Sequence, residues 1–527
     1  MGRIGRQKSR KSLVFDGETL SPEQVHALAY GPESLVALSP AALKRVRASH
    51  AIVKAQVRQK VVYGVTTGFG PMASHIIARD KLDELQLNLV RSHSVGAGPP
   101  LPAEFVLAAM ASRLNTFLKG NSGVSEGLIR HLAGFIEHRI APIVPEHGAV
   151  GTSGDLVQLA HIALGLIGEG EVFYRGKRRR APAVLRKLGI APLVLHPKEG
   201  LSLINGTSMM TGIAALLVVW AERIVGLSIR AGALALELVN GLTDAIAAEL
   251  HAVRPHVGQG QVARHLRELL ADSKLLTHRH DVQARVNIID DTYVTPEQIQ
   301  EIYSLRCIPQ ILGPVVDIVR KFRGDVTVEL NSVTDNPVID IASEVFLHGG
   351  NFHGDYIAAA VDQMKIGIVK LTILAERQIN FFLNRNVNRS FPPFLNLNQP
   401  GLTLALQGVN FVATSTTAHS QSLAYPHSLH SISTNGDNQD VVSMGTDAAL
   451  IGWKVIENAF TVLAIELIAL AQAVDVLDVG ARLAPPSRAL YEKVRAVVPA
   501  ITKDRSFSGE LNQLIDTIRA DASLAIS

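Results

Sequence analysis

Apolar residues recur along most of this chain at the three- and four-residue intervals of helices. Met364, Ile368, Leu371, Ala375, Ile379 and Phe382 form one such stripe, and similar stripes run through 216–239 and 455–476. Several of these long helices are apolar on more than one face, which predicts burial against other subunits as well as within the chain. Shorter helical patterns fill 22–61, with Ser39-Pro40 as cap and first turn, and recur over 80–92 and 102–118. Strand signals are few and short: Val172-Phe173-Tyr174 and Val338-Ile339-Asp340. The pattern predicts an all-α fold, a long-helix bundle with a smaller, mainly helical N-terminal part. Residues 1–19 read as a basic flexible tail, 20–210 as the N-terminal part, and 211–527 as the central and C-terminal bundle. There is no fixed-period repeat and no low-complexity linker.

Composition narrows the function classes. Hydrophobic residues make up 47% of the 527, and the formal net charge is only +4, so no global field points to nucleic acid or to a membrane surface. Arg3, Arg6, Lys8, Arg10 and Lys11 precede no apolar segment and so do not make a signal peptide. Lys177 to Arg180 follow Tyr174-Arg175-Gly176 and read as an exposed hairpin tip with Gly176 at the turn. The run 213–220 is too short to span a bilayer, and 462–477 contains Glu466 and Asp475. Cys307, the single cysteine, excludes an internal disulfide or a CxxC metal site. The expectation is a soluble cytoplasmic protein.

Candidate chemistry lies in polar loops that interrupt the helices. Tyr63-Gly64-Val65-Thr66-Thr67-Gly68-Phe69-Gly70 sets three glycines around one phenol; it is either an ordinary turn or a loop that brings backbone and phenol close to a ligand. His93, in Arg91-Ser92-His93-Ser94, is either a satisfied helix-end histidine or a polar group facing a pocket. Glu146 to Asp155 is glycine-rich and opens a helix. A nucleophile elbow would need glycine where Asp155 stands, and alternating strands around it. Gly258-Gln259-Gly260-Gln261-Val262-Ala263 matches a dinucleotide fingerprint by letters but follows no buried strand. The pairs His348/His353 and His278/His280 lack a carboxylate at helical ligand spacing, so no metal is expected.

Thr152-Ser153-Gly154 can also close on itself. If the Gly154 nitrogen bonds to the Thr152 carbonyl carbon and two waters are lost, Ser153 becomes an exocyclic methylene on a five-membered ring. Glycine leaves the attacking nitrogen unhindered, serine supplies a hydroxyl that can leave, and the first residue contributes only its carbonyl. The product is an electrophile made without a bound cofactor.

With this motif stand the Tyr63 loop, Leu203-Ile204-Asn205-Gly206-Thr207-Ser208, Tyr303-Ser304-Leu305-Arg306-Cys307, Gly350-Asn351-Phe352-His353-Gly354 and Asn438-Gln439-Asp440. In this order they resemble the aromatic amino acid and histidine ammonia-lyase family, over about residues 20 to 500, within the fumarase/aspartase-like superfamily. The nearest likeness is to bacterial tyrosine ammonia-lyases, as in Arg91-Ser92-His93-Ser94 and Ala413-Thr414-Ser415-Thr416-Thr417-Ala418.

The resemblance implies a homotetramer whose active sites draw on three subunits, and the autocatalytic 4-methylidene-imidazol-5-one group (MIO) from Thr152, Ser153 and Gly154, with no metal and no nucleotide. It implies that this electrophile captures the substrate amine and that Tyr63 removes the β-proton as a phenolate. Arg306 would hold the carboxylate. Asn205, Tyr303, Gln310, Asn336, Phe352, Asn435 and Gln439 would line the site. Ser92 and His93 would face the substrate ring, where a histidine can bond a para-hydroxyl and leaves a polar group unpaired against phenylalanine. The same pair is typical of histidine ammonia-lyases. Three positions depart from the pattern: Thr152 replaces the commoner alanine, Thr66 stands where Asn is usual, and His419 sits where the family usually has a glutamate near the substrate. The implied reaction is L-tyrosine to p-coumarate and ammonia, with phenylalanine or histidine as other substrates and a 2,3-aminomutase as the rival within the same chemistry. A non-catalytic scaffold would be expected to lose Tyr63, Ser153 or Arg306, and all three are present.

Overall fold

The computed structural model describes residues 12–33, 35–288 and 292–526. They form two compact units, each discontinuous in sequence. The first comprises Met1–Val219, Phe322–Asp362 and Pro426–Ile451; the second comprises Trp220–Lys321, Gln363–Tyr425 and Gly452–Ser527. The expected border at residue 210 lies near the first crossing, but two later segments return to the first unit. Four of the five crossings fall inside long helices, Ser208–Leu238, Ile308–Leu330, Asp355–Leu383 and Gly445–Leu477, and the fifth lies between Tyr425 and Pro426. A helix of 31 residues extends about 46 Å at 1.5 Å per residue, too long for one small core.

In the first unit, helix Ala103–Leu118 is buried along nearly its whole length. Helices Pro22–Tyr30, Pro40–Gln56 and Glu126–Glu137 pack around it. Ser21 and Gln24 close a reciprocal capping box on the first of these, and the expected Ser39 caps the second by accepting from Ala42 N. A second group, Leu82–His93, Leu156–Leu166 and Glu199–Ile204, packs together and carries the polar loops at its ends. Small strands edge this unit. Glu171–Tyr174 pairs antiparallel with Lys177–Arg180, and Arg175 and Gly176 turn between them at φ 52° and 70°, as the hairpin reading expected. Val338–Asp340 pairs with Val345–Leu347. Ser12–Phe15 pairs in parallel with Leu35–Leu38, and Phe15 is fully buried. Residues 12–15 of the segment read as a tail thus form a strand, Leu13, Val14 and Phe15 being apolar enough for one. Arg3, Arg6, Lys8, Arg10 and Lys11 lie outside the described residues.

The second unit is helical, with Val257–Leu270, Gln407–Leu423, Pro485–Val497 and Ser508–Ala520 beside its shares of the long helices. The stripe from Met364 to Phe382 is buried as its spacing predicts. By length and composition Ser208–Leu238 and Gly445–Leu477 could cross a membrane, the run expected to be short being part of a longer helix. Their most apolar windows are 94% and 78% buried in protein, as core helices are.

Glu466 lies in this apolar interior, and among the described residues neither carboxyl oxygen has a hydrogen-bond partner. Burial pushes its pKa up from 4.5 to about 8, so it is protonated at neutral pH. The folded state then holds this proton more tightly than the unfolded chain, and stability falls as pH rises through that interval. Glu466→Gln mimics the neutral acid and is expected to remove the slope. Melting temperatures of the two proteins should draw apart, with the Gln variant ahead, between pH 4.5 and 8; parallel curves would contradict the burial.

Candidate active site

The site belongs to the first unit and is built on a close approach of two backbone loops. Gly151 and Gly154 both take positive φ, 77° and 73°, which glycine adopts without strain. Asp155 N donates to Gly206 O at 2.8 Å, and Gly206 N donates to Ser153 O at 3.2 Å. A second donor, Asn205 Nδ2, reaches the same Ser153 oxygen at 2.9 Å. There is no room for a side chain: a Cβ on Gly154 would lie 2.0 Å from Gly206 O. The loop's other end is tied down as well. Gly151 O accepts from Gly354 N at 2.9 Å and from Ser443 Oγ at 2.9 Å.

Asp155 anchors this arrangement to a helix start. Its Oδ2 accepts from Met209 N at 2.8 Å and Met210 N at 3.1 Å, in the first turn of Ser208–Leu238, where a carboxylate suits the helix dipole. Thr446 Oγ1 donates to its other oxygen. Burial pushes Asp155 up to about 6 despite these bonds.

A cavity of about 970 Å³ opens over the loop, lined by Tyr63, Ser92, His93, Thr152, Ser153, Asn205, Asn336, Phe352, Asn435 and Gln439 among others. Ten of the expected site residues thus share one cavity, with Gly154 behind its wall. Gln439 bridges two of them: its Nε2 donates to Ser153 Oγ at 2.9 Å, and Thr152 Oγ1 donates to its Oε1 at 3.0 Å. The threonine that departs from the usual alanine therefore makes a bond alanine cannot. Tyr63 is oriented at both ends. Gly70 N donates to its phenol oxygen at 2.9 Å, and its own N–H donates to His348 Nε2 at 3.3 Å. Thr66 pins the turn before it, accepting from Val62 N at 2.8 Å. Asn336 Oδ1 accepts from Gly349 N at 2.8 Å.

His93 satisfies both of its sequence readings. At the end of helix Leu82–His93, its Nδ1 lies 3.0 Å from Leu89 O, which can only accept, so Nδ1 carries the proton. Burial pushes its pKa below 6.5. The neutral ring then keeps an unprotonated Nε2, a hydrogen-bond acceptor, at the cavity.

Four expected residues are not among those lining this cavity; they belong to the second unit. Tyr303 and Arg306 share the short helix Tyr303–Arg306. Tyr303 is 70% exposed, and the Arg306 guanidinium stands 5.1 Å from its ring centre. Gln310 Oε1 and Arg306 Nε are buried without a hydrogen-bond partner among the described residues. His419 is exposed on Gln407–Leu423, its Nδ1 3.3 Å from Asn458 Nδ2.

Sequence reasoning assigned no role to Gly70, Gly206, His348 or Asp155. Two of these act through backbone amides, which no side-chain motif reveals. Asp155, adjoining the triad and just ahead of an apolar helix, carried an anchoring signal.

The comparisons with known proteins agree over nearly the whole chain. The pattern described as aromatic amino acid lyase matches residues 20–496. The chain belongs to the aromatic amino acid lyase family. Histidine ammonia-lyase of Staphylococcus aureus (strain NCTC 8325 / PS 47) is 39% identical over 511 residues, covering 96% of this chain and 98% of that protein. Tyrosine aminomutase from Streptomyces globisporus is 38% identical, with TM-score 0.93 over 98% of this chain and 97% of that one. Phenylalanine aminomutase of Pantoea agglomerans is 35% identical, with TM-score 0.93 over 98% and 100%. None of these three bears the name tyrosine ammonia-lyase, the finer likeness expected from sequence. As an aromatic amino acid lyase the protein is an enzyme of the carbon–nitrogen lyase type.

In this aromatic amino acid lyase the contact between Gly154 and Gly206 is directly testable. Gly154→Ala places a side chain at positive φ, a cost of the order of 1–3 kcal/mol, and drives its Cβ into Gly206 O. Urea unfolding should show at least that loss; a variant as stable as the wild type would contradict the close approach.

Proposed function

We propose that this enzyme eliminates ammonia from L-tyrosine to give trans-p-coumarate, using an MIO ring closed from Thr152, Ser153 and Gly154, with no metal and no nucleotide. The observation that carries the reading is the Ser153 carbonyl, held by Asn205 Nδ2 and Gly206 N, with Ser153 Oγ beside it at the cavity. The residues fit such a ring: Gly154 lacks the Cβ that would block closure, and two donors already stand at the oxygen that becomes the ring carbonyl. Ring closure removes the Thr152 oxygen with the Gly154 and Ser153 amide hydrogens, then Ser153 Oγ–H with its Cα hydrogen, two waters in all. The ring supplies an electrophilic methylene carbon, the chemistry that makes an amine a better leaving group.

Tyr63 receives the β-proton at its phenol oxygen, where Gly70 N–H remains as a donor after deprotonation. Asn205 and Gly206 keep their donors on the Ser153 oxygen, whereas Gln439 orders Thr152 and the Ser153 hydroxyl before closure. The carboxylate is assigned to Arg306, with Tyr303 and Gln310 supporting it and His419 near the substrate, on the strength of the family resemblance. A homotetramer with shared sites goes with that assignment. The exposure of Tyr303, Leu402 and Phe411 at 70%, 77% and 65% is in keeping with further subunits covering them. A cytoplasmic setting suits the lone Cys307.

Tyrosine is favoured by the ring end of the cavity. His93, with Nε2 left as an acceptor, lines the cavity together with the apolar Leu85, Leu89 and Phe69, a combination that suits an apolar ring ending in a hydroxyl. The relative named histidine ammonia-lyase keeps histidine in view, but His419 replaces the family's usual carboxylate. The two aminomutase relatives keep return of ammonia to the β-carbon in view.

Purified enzyme with L-tyrosine should release ammonia and p-coumarate, followed by absorbance and chromatography. β-Tyrosine as the main product would make it an aminomutase, urocanate from histidine a histidine ammonia-lyase, and no ammonia from tyrosine, phenylalanine or histidine would sink the lyase reading. His93→Phe should shift kcat/KM from tyrosine toward phenylalanine by about tenfold or more, since a buried acceptor without a donor penalises the wrong ring. An unchanged ratio would remove His93 from ring recognition.

A further inference from the structure

Behind the Ser153 carbonyl lies a group that the reaction does not touch. Arg113, on helix Ala103–Leu118, is 3% exposed. Its guanidinium is pressed against Gly206: a Cβ built there would come within 2.4 Å of Arg113 Nη2 and 2.8 Å of Nη1, with Thr334 O at 2.5 Å. Gly206 has φ 136°, and its missing side chain is what admits the guanidinium. Among the described residues Arg113 makes one hydrogen bond, from Nη1 to Ser202 O at 3.3 Å, and its Nε and Nη2 have no partner. Burial pushes its pKa down to about 10, with Asp335 and Asp155 opposing, so it stays charged. Asp335 is itself fixed by Lys198 Nζ at 3.2 Å and by Ser122 Oγ at 2.9 Å.

We propose that Arg113 is a positioning residue for the Thr152–Gly154 turn: its planar guanidinium, packed where a Gly206 side chain would stand, holds that peptide in register with Ser153 and Asp155. Among the described residues, Gly206 alone both donates to Ser153 O and accepts from Asp155 N. A shift of its peptide therefore disturbs both sides of Gly154 at once. The role depends on a flat fork rather than on charge alone, because two guanidinium nitrogens close on the Gly206 Cβ position together and a single ammonium cannot.

The inference rests on the ring reading, and the test separates the two. Wild type, Arg113→Lys and Arg113→Gln are purified, and intact mass gives the fraction of chains lighter by two waters. Wild type should be fully converted, with Arg113→Lys leaving a clear unconverted population and Arg113→Gln a larger one. The converted fraction should show kcat reduced about tenfold or more, as losses of supporting groups do, with KM changed much less. Far-UV circular dichroism and size should match wild type. Should the Gln variant not fold, the Lys variant decides. Complete conversion and wild-type kcat in Arg113→Lys, even at a lower melting temperature, would reduce Arg113 to a merely structural residue and overturn the proposal. An unconverted wild type would instead remove the ring reading itself.

Discussion

The site depends on two peptides that pass too close for side chains. Gly206 donates to Ser153 and accepts from Asp155, spanning the one residue between them. That ladder is possible only because position 154 has no Cβ to strike Gly206 O and position 206 has none to strike Arg113. The consequence reaches outward. Asp155, next in the chain, is delivered to the start of a 31-residue helix, so the turn is fixed to one of the most rigid elements of the fold. The cavity face of the turn is left to Ser153 Oγ and its carbonyl, both addressed by amides from Gln439 and Asn205.

The charges beneath the turn follow the same logic. Asp155, Arg113, Asp335 and Lys198 are buried together, an arrangement that buried ion pairs do not make for net stability. A hydrophobic cluster of similar volume would pack as well. On the proposed role of Arg113, it would not hold the Gly206 peptide against Ser153 and Asp155. Above the turn, Gly70 N–H donates to the Tyr63 phenol oxygen, a bond that the proposed phenolate would keep. His93 needs a fixed tautomer, which Leu89 O imposes from within the same helix.

Much of this was legible in the chain. The long apolar stripes gave helices that the structure buries, and the Thr152-Ser153-Gly154 triad, the Tyr63 loop and Asn205 were singled out before any contact was known. The triad and the Tyr63 loop advertise themselves because their chemistry resides in side-chain types at fixed local spacing, whereas Asn205 was named by the family resemblance. Gly70 and Gly206 do not, since each contributes an amide hydrogen whose direction depends on the folded loop. Arg113 was hidden for another reason: it sits in a helix whose pattern, Ala-Ser-Arg-Leu-Asn, reads as an ordinary amphipathic surface until burial is known. The division into two interleaved units was also out of reach, because helices longer than one core carry no local mark where the chain passes from one unit to the other. Leu13 to Phe15 were too short a run to separate from the basic residues before them.

Everything proposed for the chemistry requires that Thr152, Ser153 and Gly154 be a ring in the working enzyme. The most direct measurement is the mass of the tryptic peptide Ile140–Arg175, cut from purified active wild-type enzyme and compared with the same peptide from Ser153→Ala. A wild-type peptide two waters lighter than its sequence, with the Ser153→Ala peptide unmodified and its enzyme inactive, is the expected result. A wild-type peptide at its full sequence mass, from enzyme that releases ammonia, would contradict it.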